Sequence, residues 1–133
     1  MGVGVDYHYT NAHYGPIPQV FPTGPSVAIV LEPSTLILQL KRYEYDTENQ
    51  RSVKKHNIIN IPHTINLPSG STYFLCSVIN HIGANPEEGH YNVLLFDKNK
   101  NTFTMLDDSK IIFDAVVDDE MNKLPCIITY IKN

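Results

Sequence analysis

A histidine and two aspartates, held apart by short apolar runs and one polar turn, carry the chemistry this sequence offers. His90 stands at the mouth of YNVLLF, Asp107 and Asp108 close TFTML, and DKNKN separates the two runs. Together they read as the simplest hairpin in the chain. With the turn centred on Lys98 to Lys100, cross-strand partners carry numbers summing to about 197 to 199, which sets His90 opposite Asp107 or Asp108. A carboxylate hydrogen-bonded to one imidazole nitrogen fixes the tautomer and favours the protonated ring, leaving the other nitrogen to work as a base. Side chains alternate faces along a strand, so a slip of one residue decides which aspartate does this. By itself such a pair is also a common edge-strand polar contact, and it names no reaction.

The elements that must position these groups are strands. From Thr35 the stretch TLILQLKRYEYD alternates and is rich in residues suited to a pleated surface, with Leu36, Leu38 and Leu40 sharing one face. After the polar turn DTENQRS, HNIINIP and HTINLP read as two short strands each closed by proline, and STYFLCSVINHIG reads as a buried strand. SKIIFDAVV and PCIITYIK supply the last two. No stretch sustains a helical period and no internal repeat is present, so the expected fold is mainly β, an antiparallel, meandering sheet. Residues 1–32 are dense in Gly, Pro, Tyr and His, and only VAIVL at Val27 to Leu31 could form a strand there. They are expected to be extended or mobile, ahead of a domain over residues 33–133.

Composition bounds the function. The 133 residues suffice for one domain, and 42% apolar against 18% charged residues is enough for a core. A formal charge of −4 offers no basic stripe to neutralise phosphates, which argues against nucleic acid as a partner, although basic residues cluster at Lys41-Arg42 and Lys54-Lys55. No run approaches the roughly 18 apolar residues of a membrane span, and the start MGVGVDYHY lacks the layout of a secretory signal. The two cysteines, Cys76 and Cys126, each lie inside an apolar run and read as core residues rather than a disulfide or a zinc site. A reducing, intracellular setting in cytoplasm or nucleus is expected. His8, His13, His56 and His63 form no close group with Cys or Asp at metal-ligand spacing.

Taken in order, LILQLKRYEY, YFLCSVINHIGANPEEGHYNVLLF, TFTMLDDSKI and CIITYIK resemble the carboxy-terminal half of the ubiquitin-specific protease domain, the papain-like cysteine deubiquitinases. The resemblance covers about Pro33 to Lys132. It rests on an LxLKRF-like strand at Leu36 to Tyr43, an HxG at His81 to Gly83, the GHY histidine box at Gly89 to Tyr91, and a strand ending in paired aspartates. It implies an α+β family whose palm is this sheet, with the thumb and zinc fingers missing from the chain. His90 would be the catalytic base, oriented by Asp107, with Asp108 as the second candidate. The loop Ile82 to Glu88 would close over the ubiquitin tail, with His81, Gly83, Glu87, Glu88, Gly89 and Tyr91 around it; His81 would support the loop by hydrogen bonding, and the acidic pair would attract the arginines of the tail.

The departures from that pattern concern the reaction itself. The family's nucleophile is a cysteine in an amino-terminal GNTCYMNS-like box, whose thiol is activated by the histidine. The first 32 residues of this chain hold no cysteine, and the paired CxxC zinc ligands are also missing. Cys76 lies mid-strand, and Cys126 takes the place of an aromatic residue. Glu88 stands where a second glycine usually precedes GHY, and Phe103 stands for a tryptophan. The resemblance therefore implies a partial ubiquitin carboxyl-terminal hydrolase domain, inactive alone, or else a non-catalytic module that binds ubiquitin or a protease. It implies no cofactor and no metal. The partners it implies are ubiquitin or a ubiquitinated protein, together with either a Cys-bearing partner half or a second copy of the chain.

Overall fold

The computed structural model describes residues 31–133, together with the backbone of three two-residue strands at Tyr7–His8, Ala12–His13 and Ala28–Ile29. The expectation of an extended or mobile segment over residues 1–32 falls largely outside the described residues. In chain order the remaining strands are β1 (Thr35–Leu40), β2 (Tyr43–Asp46), β3 (Arg51–Lys54), β4 (Thr64–Asn66), β5 (Thr72–Ile82), β6 (His90–Asp97), β7 (Thr102–Asp107), β8 (Lys110–Ile112) and β9 (Pro125–Lys132). The helical content of the described residues is one 3-10 turn, Met121–Lys123. The expectation of a mainly antiparallel β fold holds.

One eight-stranded antiparallel sheet runs from the Tyr7–His8 strand through β1, β9, β5, β6 and β7 to β8, with β4 added beside β5. Alternation in β1 buries Leu36, Leu38 and Leu40 and leaves Thr35, Ile37 and Gln39 outside. Those leucines pack with Tyr73, Leu75 and Val78 of β5, Leu94 of β6, and Ile128 and Tyr130 of β9. Burying each such side chain contributes about 1.5–3 kcal/mol, so the central strands carry most of the stability. The two buried tyrosines also satisfy their hydroxyls, since Tyr73 donates to the Pro33 carbonyl at 2.6 Å and Tyr130 to the Pro62 carbonyl at 2.7 Å.

Several strand boundaries differ from the sequence expectation. TLILQLKRYEYD is two strands rather than one, because β2 leaves the main sheet and pairs with β3 in a separate two-stranded ribbon. The break falls at Arg42, which is only 2% exposed. Its Nη2 donates to the carbonyls of Lys55, Asn57 and Lys123 at 3.1, 2.9 and 2.9 Å. HNIINIP is not a strand, since the Ile59 amide bonds the Asn122 carbonyl at 2.8 Å instead of a neighbouring strand. SKIIFDAVV yields only the three residues of β8. VAIVL contributes Ala28–Ile29, paired with Ala12–His13.

Candidate active site

The turn between β6 and β7 comprises Lys98 to Asn101, and Asn101 adopts a left-handed φ of 57°. That loop sets the register: Asp97 pairs with Thr102 and Val93 with Leu106. Continued outward, this register places Asn92 opposite Asp107 and leaves Ser109 opposite His90. The expected direct opposition of His90 with an aspartate is therefore replaced by a diagonal contact. His90 and Asp107 lie two positions apart on one face, within reach of a ring and a carboxylate. His90 Nε2 lies 2.5 Å from Asp107 Oδ1.

Backbone geometry also separates the two aspartates. Asp107 ends β7 and pairs with Lys110, so Asp108 and Ser109 form a two-residue turn in which Asp108 adopts φ 53°. Aspartate tolerates that left-handed conformation because its short polar side chain can bond locally. The Asp108 carboxylate ends up 80% exposed and 4.0 Å from His90 Nε2, whereas the Asp107 side chain is 29% exposed. The hydrogen bond that Asp107 accepts from the ring, then the charge of Asp107, hold the His90 imidazolium above the ordinary imidazole range, with a smaller contribution from Asp108. Since Nε2 is engaged, Nδ1 is the nitrogen left to exchange a proton, on a side chain that is 42% exposed. Ligand atoms of His90, Asp107 and Asp108 all lie within 4.8 Å of one another. Two of the three are already bonded directly to each other, so the arrangement is that of a proton-sharing pair.

The loop that delivers His90 is closed at its base by the Ile82–His90 strand pair. His81, the residue before Ile82, is buried at 2% exposure. Its Nε2 lies 2.9 Å from the Glu88 carbonyl, its Nδ1 2.8 Å from the Tyr43 hydroxyl, and its ring packs at a tilt of 52° against Tyr91, with centroids 4.8 Å apart. Lys54 Nζ donates to the His81 carbonyl at 2.5 Å. Two glycines flank this ring. A Cβ on Gly83 would sit 2.8 Å from the Glu88 oxygen, and one on Gly89, where φ is +131°, would sit 2.7 Å from His81 Nε2 and closer still to the Ile82 oxygen. Glu87 and Glu88 are both exposed, and the Glu88 amide is capped by Asn85 Oδ1 at 3.1 Å. Outside the loop lies a groove of about 530 Å³ lined by Arg51, Lys54 and His56 on the ribbon side and Asn85, Pro86 and Glu87 on the loop side.

Neither thiol joins the pair. Both cysteines are free and partly buried. Cys76 lies six positions down β5 from Ile82, the strand partner of His90, or about 20 Å at the rise of a strand. Cys126 sits on β9, on the other side of β5 from β6, and its thiol donates to the Ile79 carbonyl at 3.3 Å. Burial pushes that thiol up, away from a reactive thiolate, although Lys54 and Arg42 pull in the opposite direction. His63 rests against Phe96 and Phe103 and His56 is exposed, so neither lies in the site.

Sequence reasoning missed four participants. Arg42 and Lys54, read as parts of surface charge clusters, are 2% and 5% exposed. Burial, then the neighbouring Arg42, press the Lys54 ammonium below its usual range. Asn80 and Asn92, both buried, are joined by a 3.0 Å hydrogen bond on the face that carries His90 and Asp107. The signal available for the asparagines was their equal distance from the loop; for Lys54 there was none, because RSVKKH does not alternate.

A family model described as ubiquitin carboxyl-terminal hydrolase matches residues 10–129. Ubiquitin carboxyl-terminal hydrolase 9 of Saccharomyces cerevisiae is 30% identical over 114 residues, which are 81% of this chain and 14% of that protein. Hydrolase 13 of the same yeast is 33% identical over 59% of this chain and 11% of its own length, and human hydrolase 35 is 40% identical over 44% and 6%. Among solved structures, the Ubp8-Sgf11-Sgf73-Sus1 SAGA DUB module aligns with TM-score 0.65 and 24% identity, over 81% of this chain and 26% of the matched one. A second structure of that module covers 91% of this chain and 28% of its own, with TM-score 0.64. These structures bear on the fold, which is that of part of the matched chain. The chain thus spans no more than 14% of the curated relatives described. With a family match across most of its residues, the chain belongs to the ubiquitin carboxyl-terminal hydrolase family.

Proposed function

We propose that these residues are the base-bearing part of a cysteine-type deubiquitinase domain, inactive alone, with the nucleophile supplied by a cysteine outside these 133 residues. The observation that carries this reading is the 2.5 Å contact of His90 Nε2 with Asp107 Oδ1 at the end of a glycine-flanked loop, with no thiol of the described residues beside it. With Nε2 held by Asp107, Nδ1 of the neutral ring keeps a free lone pair. A thiol brought to that nitrogen gives up its proton to Nδ1, and the thiolate attacks the isopeptide carbonyl carbon. The imidazolium, stabilised by Asp107, then donates the proton to the leaving amine. Asp108 adds charge from the turn without setting the ring. The loop Ile82 to Glu88 is the contact region for the ubiquitin tail, with Glu87 and Glu88 facing its arginines and Tyr91 beside it; exposed charge pairs of this kind add little affinity each.

The test is reconstitution. The chain is mixed with a separately produced Cys-bearing half of a related hydrolase and a ubiquitin-based fluorogenic substrate. Cleavage above that of the Cys-bearing half alone, lost with His90→Ala, is expected; no gain at any ratio overturns the reading. The remoteness of Cys76 and Cys126 from His90 favours a second reading, a module that binds ubiquitin or a protease without turnover. Titration against isotope-labelled ubiquitin addresses it: shifted resonances without reconstituted cleavage select this reading, and an unchanged spectrum removes it.

A further inference from the structure

We propose that His81 is a positioning residue of the His90–Asp107 pair, locked by Tyr43 in the tautomer that grips the Glu88 carbonyl and so fixes the backbone from which His90 projects. The inference rests on the reading of His90 as a base and adds to it the two-stranded ribbon β2–β3, whose Tyr43 and Lys54 both bond His81.

The partners dictate the tautomer. A carbonyl oxygen only accepts, so the 2.9 Å contact of Nε2 with Glu88 requires the hydrogen on Nε2. Nδ1 is then the acceptor, and it receives the Tyr43 hydroxyl at 2.8 Å. Lys54 Nζ, 3.4 Å from the same nitrogen, has hydrogens only to give, and it opposes a hydrogen on Nδ1. The Lys54 bond to the His81 carbonyl, at 2.5 Å, pins the backbone on the other side. Every polar atom of His81 named in these contacts is thereby assigned one role.

The grip on Glu88 is transmitted through a single residue. Gly89 adopts φ +131° at a place where an added Cβ would run into the His81 ring and the Ile82 carbonyl, and His90 is the next residue. Only the backbone of Gly89 separates the held carbonyl from the residue whose imidazole must meet Asp107 at hydrogen-bond distance. Loops with exposed residues such as 86–89 open at low free-energy cost unless tied at the base. Here the tie is a side chain buried at 2% exposure.

Nitrogen-15 NMR on the chain itself tests the proposal. Wild-type protein should show His81 with hydrogen-bearing Nε2 and bare Nδ1. His81→Leu should speed amide exchange over residues 84–90 at least tenfold and move the His90 titration midpoint toward the ordinary imidazole value. His81→Gln, which returns an N–H at similar reach, should restore both. Tyr43→Phe should shift the His81 Nδ1 resonance and speed loop exchange by a smaller factor, while Leu75→Ala, a core cavity elsewhere in β5, should leave the His90 midpoint in place. A hydrogen on Nδ1 in the wild type, or a folded His81→Leu whose loop exchange and His90 midpoint match wild type, overturns the proposal. If His81→Leu fails to fold, the Tyr43→Phe and His81→Gln spectra decide. These readings need no nucleophile and no ubiquitin, so failed reconstitution would refute the proposed function and leave this inference standing.

Discussion

Gly89→Ala puts the tightest demand on the described backbone. An alanine there must either hold φ near +131° or move, and its Cβ meets the Ile82 carbonyl oxygen and, at 2.7 Å, His81 Nε2. A side chain in such a backbone region costs about 1–3 kcal/mol. The collision adds about 1–3 kcal/mol, since the Ile82 oxygen belongs to a strand end and cannot retreat without loosening the Ile82–His90 pair. The exposed loop can open instead of straining the sheet, which limits the loss to about 2–4 kcal/mol, less than the roughly 5–15 kcal/mol that holds an ordinary domain. Gly70→Ala serves as the control, because Gly70 has φ +98° but nothing within 4 Å of an added Cβ. It should lose only the backbone part, about 1–2 kcal/mol. Urea denaturation of the two variants against wild type measures the difference. Equal losses at the two positions would refute the collision argument, and a loss below about 0.5 kcal/mol for Gly89→Ala would refute the strain argument as well.

Four further outcomes are expected. Asp107→Asn should return the His90 titration midpoint, followed by NMR, most of the way to the ordinary imidazole value, and Asp108→Asn should move it only slightly, as the order of their influence on the ring requires. Because the folded-state value of His90 lies above its unfolded value of about 6.5, its contribution to stability is complete below that pH and is lost as pH rises through the raised value; denaturation midpoints of Asp107→Asn measured across this window should lack that component. Arg42→Met should destabilise by about 2–4 kcal/mol in chemical denaturation, because three carbonyls lose their donor while a desolvated cation is relieved. Alkylation of Cys126 in native protein near pH 8 should be at least tenfold slower than in denaturant, since burial raises its thiol value.

What the sequence disclosed and what it withheld divide along a physical line. Leu36, Leu38 and Leu40 were legible as one buried face because a strand repeats every two residues, and the β6–β7 hairpin because DKNKN interrupts two apolar runs. The proximity of His90 to the aspartates was readable from that turn, but the choice between them depended on whether Asp107 or Asp108 occupied the left-handed turn position, which turn length alone leaves open. HNIINIP misled because its amide bonding is settled by the 3-10 turn some sixty residues later, a tertiary fact without a local trace. Lys54 and Arg42 misled for a related reason. Charge marks a surface residue in most places, and only a crowd of carbonyls gathered from distant segments reverses the rule.

That gathering at Arg42 has a bearing on how the molecule behaves as acidity changes. A guanidinium keeps its charge throughout the range in which an imidazole gains or loses its own. The clasp that joins ribbon, strand end and late turn therefore keeps its charge while His90 titrates. Protons can come and go at the His90 ring while the charge of that clasp stays constant.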